Sequence, residues 1–176
     1  RYASRGLGDV YKRQAIANHI GPVYLRFGRP KVPIFIPEDT PFVIGKALLI
    51  QEGTDVSIFA TGHLVWEAVE AARILAKEGL SVELINIHTI KPLDNESILR
   101  SVAKTKCVVT AEEHQVAGGM GESIAQLLAN NHPLPMEFVA VNDQFGESGK
   151  PADLMKKYGL HSTDIIKATH RVLKRK

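Results

Sequence analysis

Apolar and polar positions repeat with two different periods along this chain, and the change of period marks its elements. Val56-Ser57-Ile58-Phe59-Ala60 is a compact apolar run that predicts a buried strand, ended by Gly62. From His63 to Glu78 the apolar residues Leu64, Val65, Ala68, Val69, Ala72, Leu75 and Ala76 recur at i, i+3 and i+4. That is the stripe of an amphipathic helix, and Gly79 stops it. Further short apolar runs predict strands over Ala47–Ile50, Ser81–Ile87, Lys106–Ala111 and Met136–Val141. Between them lie helices over Asn95–Ala103, opened by Pro92-Leu93-Asp94, and over Glu122–Asn130. Two more helices close the chain. One begins near Pro151, a residue suited to a first helical turn, and ends at Gly159. The other has Ser162 as its expected N-cap and carries Ala168, Val172 and Leu173 on its apolar face.

Strands alternating with helices of this length call for right-handed crossovers and a parallel sheet covered on both faces. The expected fold is therefore α/β, a three-layer α/β/α arrangement around a mainly parallel sheet of roughly five strands.

The front of the chain follows a different pattern. Ala15–His19 is a short helical piece, Gly21-Pro22 a turn, and Val23-Tyr24-Leu25 a strand that ends at Arg26. Prolines at 30, 33, 37 and 41, with Ile34, Phe35 and Ile36 among them, exclude helix and central strand, so residues 30–45 form an extended linker crossing a surface. A domain boundary falls there. Arg1 to Gln14 shows no clear amphipathic pattern, and Ser4 to Gln14 resembles translated foreign sequence joined to a truncated gene; the chain is read as incomplete and residues 1–14 as a leader outside the fold.

Composition narrows the function classes. The chain of 176 residues is 44% hydrophobic and 23% charged, an ordinary globular balance. A net charge of +3 comes with acidic residues spread among the basic ones, and the one basic run, Lys174-Arg175-Lys176, suits a solvated helix end. Aromatics are 6% of residues and sit in apolar runs, so the basic stripe with stacking rings that nucleic acid requires is missing. No stretch reaches the ~18 apolar residues of a membrane span, and no signal peptide is visible. The single cysteine, Cys107, forms no intrachain disulfide and is expected as a buried strand thiol, which makes the cytoplasm the default location.

Candidate chemistry is sparse. The seven histidines show neither HExxH spacing nor pairing with cysteines, which argues against a metal site. Glu112-Glu113-His114 sits at the end of a predicted strand, where open α/β sheets place ligand crevices; acid/base work, a subunit interface and a solvated strand end are all open readings. Gly118, Gly119 and Gly121 precede a helix, whose first amides could hold an anion, or whose glycines could let it pack close to the sheet. Ile124 stands where a GxGxxG would need its last glycine. Ser148 lacks GxSxG spacing and belongs to a loop before the next helix. Arg26 and Arg29 flank Phe27-Gly28 past a strand end, a placement that suits either phosphate or carboxylate recognition or surface ion pairs.

Taken in order, Gly21-Pro22-Val23-Tyr24-Leu25-Arg26-Phe27-Gly28-Arg29, Ile85-Asn86-Ile87-His88-Thr89-Ile90-Lys91-Pro92-Leu93-Asp94, and Glu112-Glu113-His114 with Gly118-Gly119-Met120-Gly121-Glu122 resemble the C-terminal third of the transketolase family. The segment Phe145 to Leu154, followed by Tyr158-Gly159-Leu160, is similar to the transketolases proper. The resemblance implies residues 15–29 as the end of a pyrimidine-binding domain, 30–45 as linker and 46–176 as the C-terminal domain. It implies two-carbon ketol transfer between sugar phosphates by a homodimer, with thiamine diphosphate and magnesium bound mainly by an N-terminal section or subunit outside these segments. No residue here is catalytic, cofactor-binding or metal-binding by that carry-over. Arg29 matches the arginine that grips the substrate phosphate. Arg26 is a further candidate for substrate binding; its position is usually apolar in transketolases and arginine in deoxyxylulose-phosphate synthase and pyruvate dehydrogenase beta subunits. Glu112, Glu113 and His114 would face a partner subunit. The alternatives are another thiamine enzyme of these kinds, or a non-enzymatic α/β interaction module.

Overall fold

The computed structural model of the chain describes the backbone of residues 2–3, 7–26, 28, 32–37 and 40–176. Ahead of the main domain lie β1 (Tyr2–Ala3), α1 (Leu7–Ala17) and β2 (Val32–Pro33), the two short strands pairing antiparallel. There follow β3 (Leu48–Gln51), β4 (Val56–Ala60), α2 (Leu64–Lys77), β5 (Val82–Asn86), α3 (Asn95–Thr105), β6 (Val108–Gln115), α4 (Met120–Asn131), β7 (Met136–Val141), α5 (Pro151–Lys157) and α6 (Ser162–Leu173). Strands β3 to β7 form one sheet in the order β3-β5-β4-β6-β7, parallel throughout except for the antiparallel edge strand β3. The expected three-layer, mainly parallel, five-stranded α/β fold is the fold found.

Two cores follow from the period of two along each strand, which sends successive side chains to opposite faces. On one face Val56, Ile58 and Ala60 of β4, with Val109 and Ala111 of β6, pack under α2 and α6. On the other, Phe59 of β4 and Val108 of β6 meet Ile98 and Val102 of α3 and Met120, Ile124 and Leu128 of α4. Because both faces are covered, β4 is buried along its whole length, which is why it appears in the sequence as an unbroken apolar run and not as an alternation.

The structure departs from the sequence expectation in several places. Val23–Leu25 is not a strand: no strand among the described residues pairs with it, and Val23 and Tyr24 are 41% and 88% exposed. A strand exists only as half of a ladder, and local apolar character does not supply the other half. The first helix begins at Leu7, well ahead of the expected Ala15. Helix α6 has His161 at its N-cap position instead of Ser162, because Ser162 is already helical and its N–H donates to the Glu67 carboxylate of α2 at 2.8 Å. An acceptor from a neighbouring helix thus does what a local hydroxyl was expected to do. Strand β6 continues four residues past Ala111 and takes Glu112 to Gln115 with it.

Among the described residues of the proline-rich segment, Val32–Pro33 pair as β2 with β1, a short strand where only extended chain was expected. Phe35 packs on Trp66 of α2, ring centroids 5.6 Å apart, and Trp66 in turn lies under the Arg73 guanidinium. Where the segment enters the sheet, Asp94 fastens it. This buried carboxylate accepts the Ala47 N–H at 2.9 Å while capping α3 through the Ser97 N–H at 3.2 Å and hydroxyl at 2.8 Å.

Asp94→Ala would orphan three donors at once, one of them at the residue just before β3. The expected cost is about 2 kcal/mol, combining a lost cap with an unpaired buried amide. Urea unfolding should show it as a lower midpoint with an unchanged slope.

Candidate functional site at the carboxyl ends of the central strands

The chain leaves β4 toward α2 on one face of the sheet and leaves β6 toward α4 on the other. Between the carboxyl ends of two strands whose connections diverge in this way, an open α/β sheet forms its crevice. Both strand ends carry titratable groups. Gly62 lies in the turn after β4 and His63 holds the N-cap position of α2; opposite, Glu112 and Glu113 prolong β6. The pairing of β6 with β7 is irregular across this stretch, Ala111 facing Val139 and Gln115 facing Val141, so four steps on one strand match two on the other. Such bulges re-aim side chains at the end of a strand.

The two adjacent glutamates do different things because they point to opposite faces. Glu112 is 3% exposed and turns toward α4, where its oxygens accept the N–H groups of Met120 and Gly121, each at 2.7 Å. It is an internal anion at a helix N-terminus, answering both the unpaired amides and the positive end of the helix. The glycines make room for it: a Cβ added at Gly119 would lie 2.6 Å from each Glu112 carboxylate oxygen, and one at Gly121 would lie 2.6 Å from the Thr110 hydroxyl. The two readings of this glycine-rich turn, anion holding and close packing, therefore describe one arrangement, and the anion is the protein's own side chain.

Glu113 turns the other way and meets His63, Oε2 to Nδ1 at 2.7 Å. The His63 ring is mostly covered while the carboxylate is 44% exposed. The hydrogen bond to Glu113 raises the His63 pKa above its ordinary value against burial, and the nearby Arg26 charge opposes it. The same bond lowers the Glu113 pKa against burial, with the charges of His63 and Arg26 adding to the effect. His63 and Glu113 are thus a charge-assisted pair within the field of the exposed Arg26 side chain. The third member of the sequence trio, His114, is exposed and donates through Nδ1 to the Gln115 carbonyl at 2.8 Å. It joins neither glutamate.

Of the residues singled out from sequence, the structure brings together Arg26 and Glu113 and separates them from Glu112 and His114. Arg29 lies outside the described residues. His63 carries no signal in metal-ligand spacing, so the sequence reading passes over it; its place directly after the β4 run and its closing glycine, at a second strand end, is the signal that marks it. Among the described residues no group of three metal-binding side chains is gathered, and none of the helices is long and apolar enough to cross a membrane. Cys107 is fully buried beside β6, its thiol donating to the Asp55 carbonyl at 3.3 Å, and burial raises its pKa. His88 packs against Phe42 with the rings tilted at 41° and their centroids 4.5 Å apart; burial and then the Lys12 charge push its pKa down to about 4.

Comparison with known proteins gives this architecture its family. The family model described as Transketolase, C-terminal domain, matches residues 45–165. The chain is 46% identical over 161 residues to the 6-deoxy-6-sulfo-D-fructose transketolase subunit SqwH of Clostridium sp. (strain MSTE9), covering 92% of this chain and 50% of that protein. It is 38% identical over 165 residues to the putative transketolase C-terminal section of Methanocaldococcus jannaschii, covering 92% of this chain and 51% of that one. A solved structure described as a split gene transketolase, inactive beta4 tetramer, superposes with a TM-score of 0.89 at 40% identity, over 94% of this chain and 56% of that chain. An α/β domain with this strand order and this family match has one assignment: the chain belongs to the transketolase family and carries its C-terminal domain. It spans about half the length of the curated relatives it matches.

The His63–Glu113 pair has a defined pH window. The share held by His63, whose folded pKa is raised, is present below 6.5 and lost as pH rises through the raised value. The share held by Glu113, whose folded pKa is lowered, is present above 4.5 and lost as pH falls through the lowered value. In an NMR titration His63 should therefore titrate above 6.5, and Glu113→Gln should bring its pKa down, since burial and Arg26 then act without opposition. A pKa unmoved by that substitution would contradict the pair.

Proposed function

We propose that the chain is the C-terminal part or subunit of a thiamine-diphosphate-dependent transketolase. It acts with an N-terminal transketolase section, in a homodimer of the complete enzyme, to move two-carbon ketol units between sugar phosphates. The observation that carries this reading is the match, at 46% identity over 92% of the chain, to half of a protein named as a transketolase subunit. Residues 15–29 then end a pyrimidine-binding domain, 30–45 link, and 46–176 form the C-terminal domain. Arg29 binds the substrate's phosphate, a planar guanidinium being suited to bidentate contact with such an oxyanion. Arg26, whose position varies within the family, would assist at the same end of the substrate.

This reading has the diphosphate and magnesium held mainly by the N-terminal section. When bound, thiamine diphosphate supplies the carbanion chemistry that cleaves and reforms the ketol bond. This chain's share is different: it seats the substrate's charged end and supports the subunit contacts, and alone it would be inactive. The interaction surface proposed for those contacts includes the exposed Glu113 and His114 at the end of β6, whereas Glu112, being buried against α4, would act only by shaping the loop between them.

The name of the SqwH relative adds a second substrate reading within the same reaction. A sulfonate, like a phosphate, presents tetrahedral oxyanion acceptors to an arginine, and a 6-deoxy-6-sulfo sugar would end in that group.

A mixing experiment tests this function. The chain combined with its N-terminal section, thiamine diphosphate and magnesium should transfer ketol units from xylulose 5-phosphate or from 6-deoxy-6-sulfo-D-fructose, and neither part alone should do so. Arg29→Ala should raise KM for the charged sugar by roughly tenfold to a hundredfold, the loss of a charge-assisted contact of about 1.5–3 kcal/mol. An unchanged KM would remove Arg29 from the site, and no transfer from either sugar would overturn the transketolase reading.

A further inference from the structure

One contact at the crevice links the C-terminal domain to the segment that precedes the linker. Gly28 sits directly on the His63 imidazole: a Cβ added there would overlap Nε2 and Cε1 of the ring. No residue with a side chain could occupy position 28 without displacing the ring, and the ring is in turn fixed by the 2.7 Å bond from its far nitrogen, Nδ1, to Glu113. Two residues earlier, Arg26 is close enough for its charge to act on both members of the pair. His63 is thus bonded on one side to Glu113 of β6, its ring mostly buried, and Gly28 lies against its other edge.

We propose that the His63–Glu113 pair is a positioning device for Gly28 and Arg26, by which the C-terminal domain sets the placement of the substrate-gripping arginines. This rests on the reading of Arg29 as the phosphate ligand, since Arg29 follows Gly28 directly in the chain. The advantage is preorganisation. A guanidinium on an exposed segment loses conformational entropy each time it closes on an oxyanion, and a segment seated on a fixed surface has already lost that freedom. Neither His63 nor Glu113 need touch the substrate. Their chemistry suits a seat of this kind. The carboxylate fixes the ring plane, the ring offers a flat face and edge to backbone without a Cβ, and the 44% exposed carboxylate gains from the neighbouring Arg26 charge. An apolar residue at 63 would offer packing but no bond to β6, and the seat would then rotate with its own side-chain torsions.

The experiment uses the chain recombined with its N-terminal section. Gly28→Ala, His63→Asn and Arg29→Ala are compared on a phosphorylated ketose donor and on an uncharged ketose donor, with Glu113→Gln as the conservative variant. The expected result is a rise of about tenfold in KM for the phosphorylated donor in Gly28→Ala and His63→Asn, with kcat within about twofold, and a much smaller change for the uncharged donor. Glu113→Gln, which retains an acceptor oxygen for the ring, should give an intermediate effect. If Arg29→Ala raises KM while Gly28→Ala and His63→Asn leave it unchanged, the positioning role is overturned and the phosphate role of Arg29 stands. If Arg29→Ala has no effect, both fall. A second readout is independent of activity: in the isotope-labelled chain the Gly28 amide and Hα resonances should shift as His63 titrates, and should lose that shift in His63→Asn. Gly28 resonances indifferent to the charge on His63 would also overturn the proposal.

Discussion

Two consecutive carboxylates at the end of one strand organise this domain. A strand turns successive side chains to opposite faces of its sheet, so Glu112 and Glu113 cannot serve one purpose, and each serves its own. Glu112 goes inward to the first amides of α4 and fixes that helix against β6. Glu113 goes to the other face and fixes His63 at the start of α2. The helices on the two sides of the sheet are thereby anchored from adjacent residues, which holds the side chains at the carboxyl ends of β4 and β6 in place.

The energetics of the two anchors differ in kind. Glu112 is a buried charge, and burial of a charge is tolerated only where every oxygen is answered. Its oxygens are answered by amides that would themselves be orphans at a helix end, so one contact satisfies donors and acceptor together. Glu113 remains half in water, where an ion pair adds little to stability. What it offers is direction: a short bond to one ring nitrogen leaves the other edge of His63 facing Gly28. Stability and placement are thus carried by neighbouring residues of the same type, distinguished only by which face of β6 they occupy.

Much of this fold was legible in the sequence. The unbroken run of β4 and the seven-residue stripe of α2 each state their environment in a local pattern, and β4 and β7 begin and end where the pattern says. What was not legible depends on partners distant in the chain. Val23–Leu25 carries strand-like composition but finds no ladder partner among the described residues. Ser162 looks like a cap, yet the acceptor at that helix end comes from Glu67, 95 residues earlier. The candidate site divides in the same way. Its location at strand ends and its glycines were visible, and so was the choice between anion binding and close packing. That the anion would be Glu112, and that His63 would cross 50 residues to meet Glu113, depends on register and strand order, which local pattern does not encode.

The division of labour between the two glutamates is measured most directly by equilibrium unfolding of Glu112→Gln beside Glu113→Gln. Either amide keeps the size and shape of its carboxylate, removes the charge and replaces one acceptor oxygen by an NH2 donor. Glu112→Gln should lose about 2 kcal/mol, because an NH2 group would then face helix amides in a buried site. Glu113→Gln should stay within about 0.5 kcal/mol of the parent chain, as a half-exposed pair at the surface predicts. Equal losses, or the larger loss at Glu113, would contradict that division.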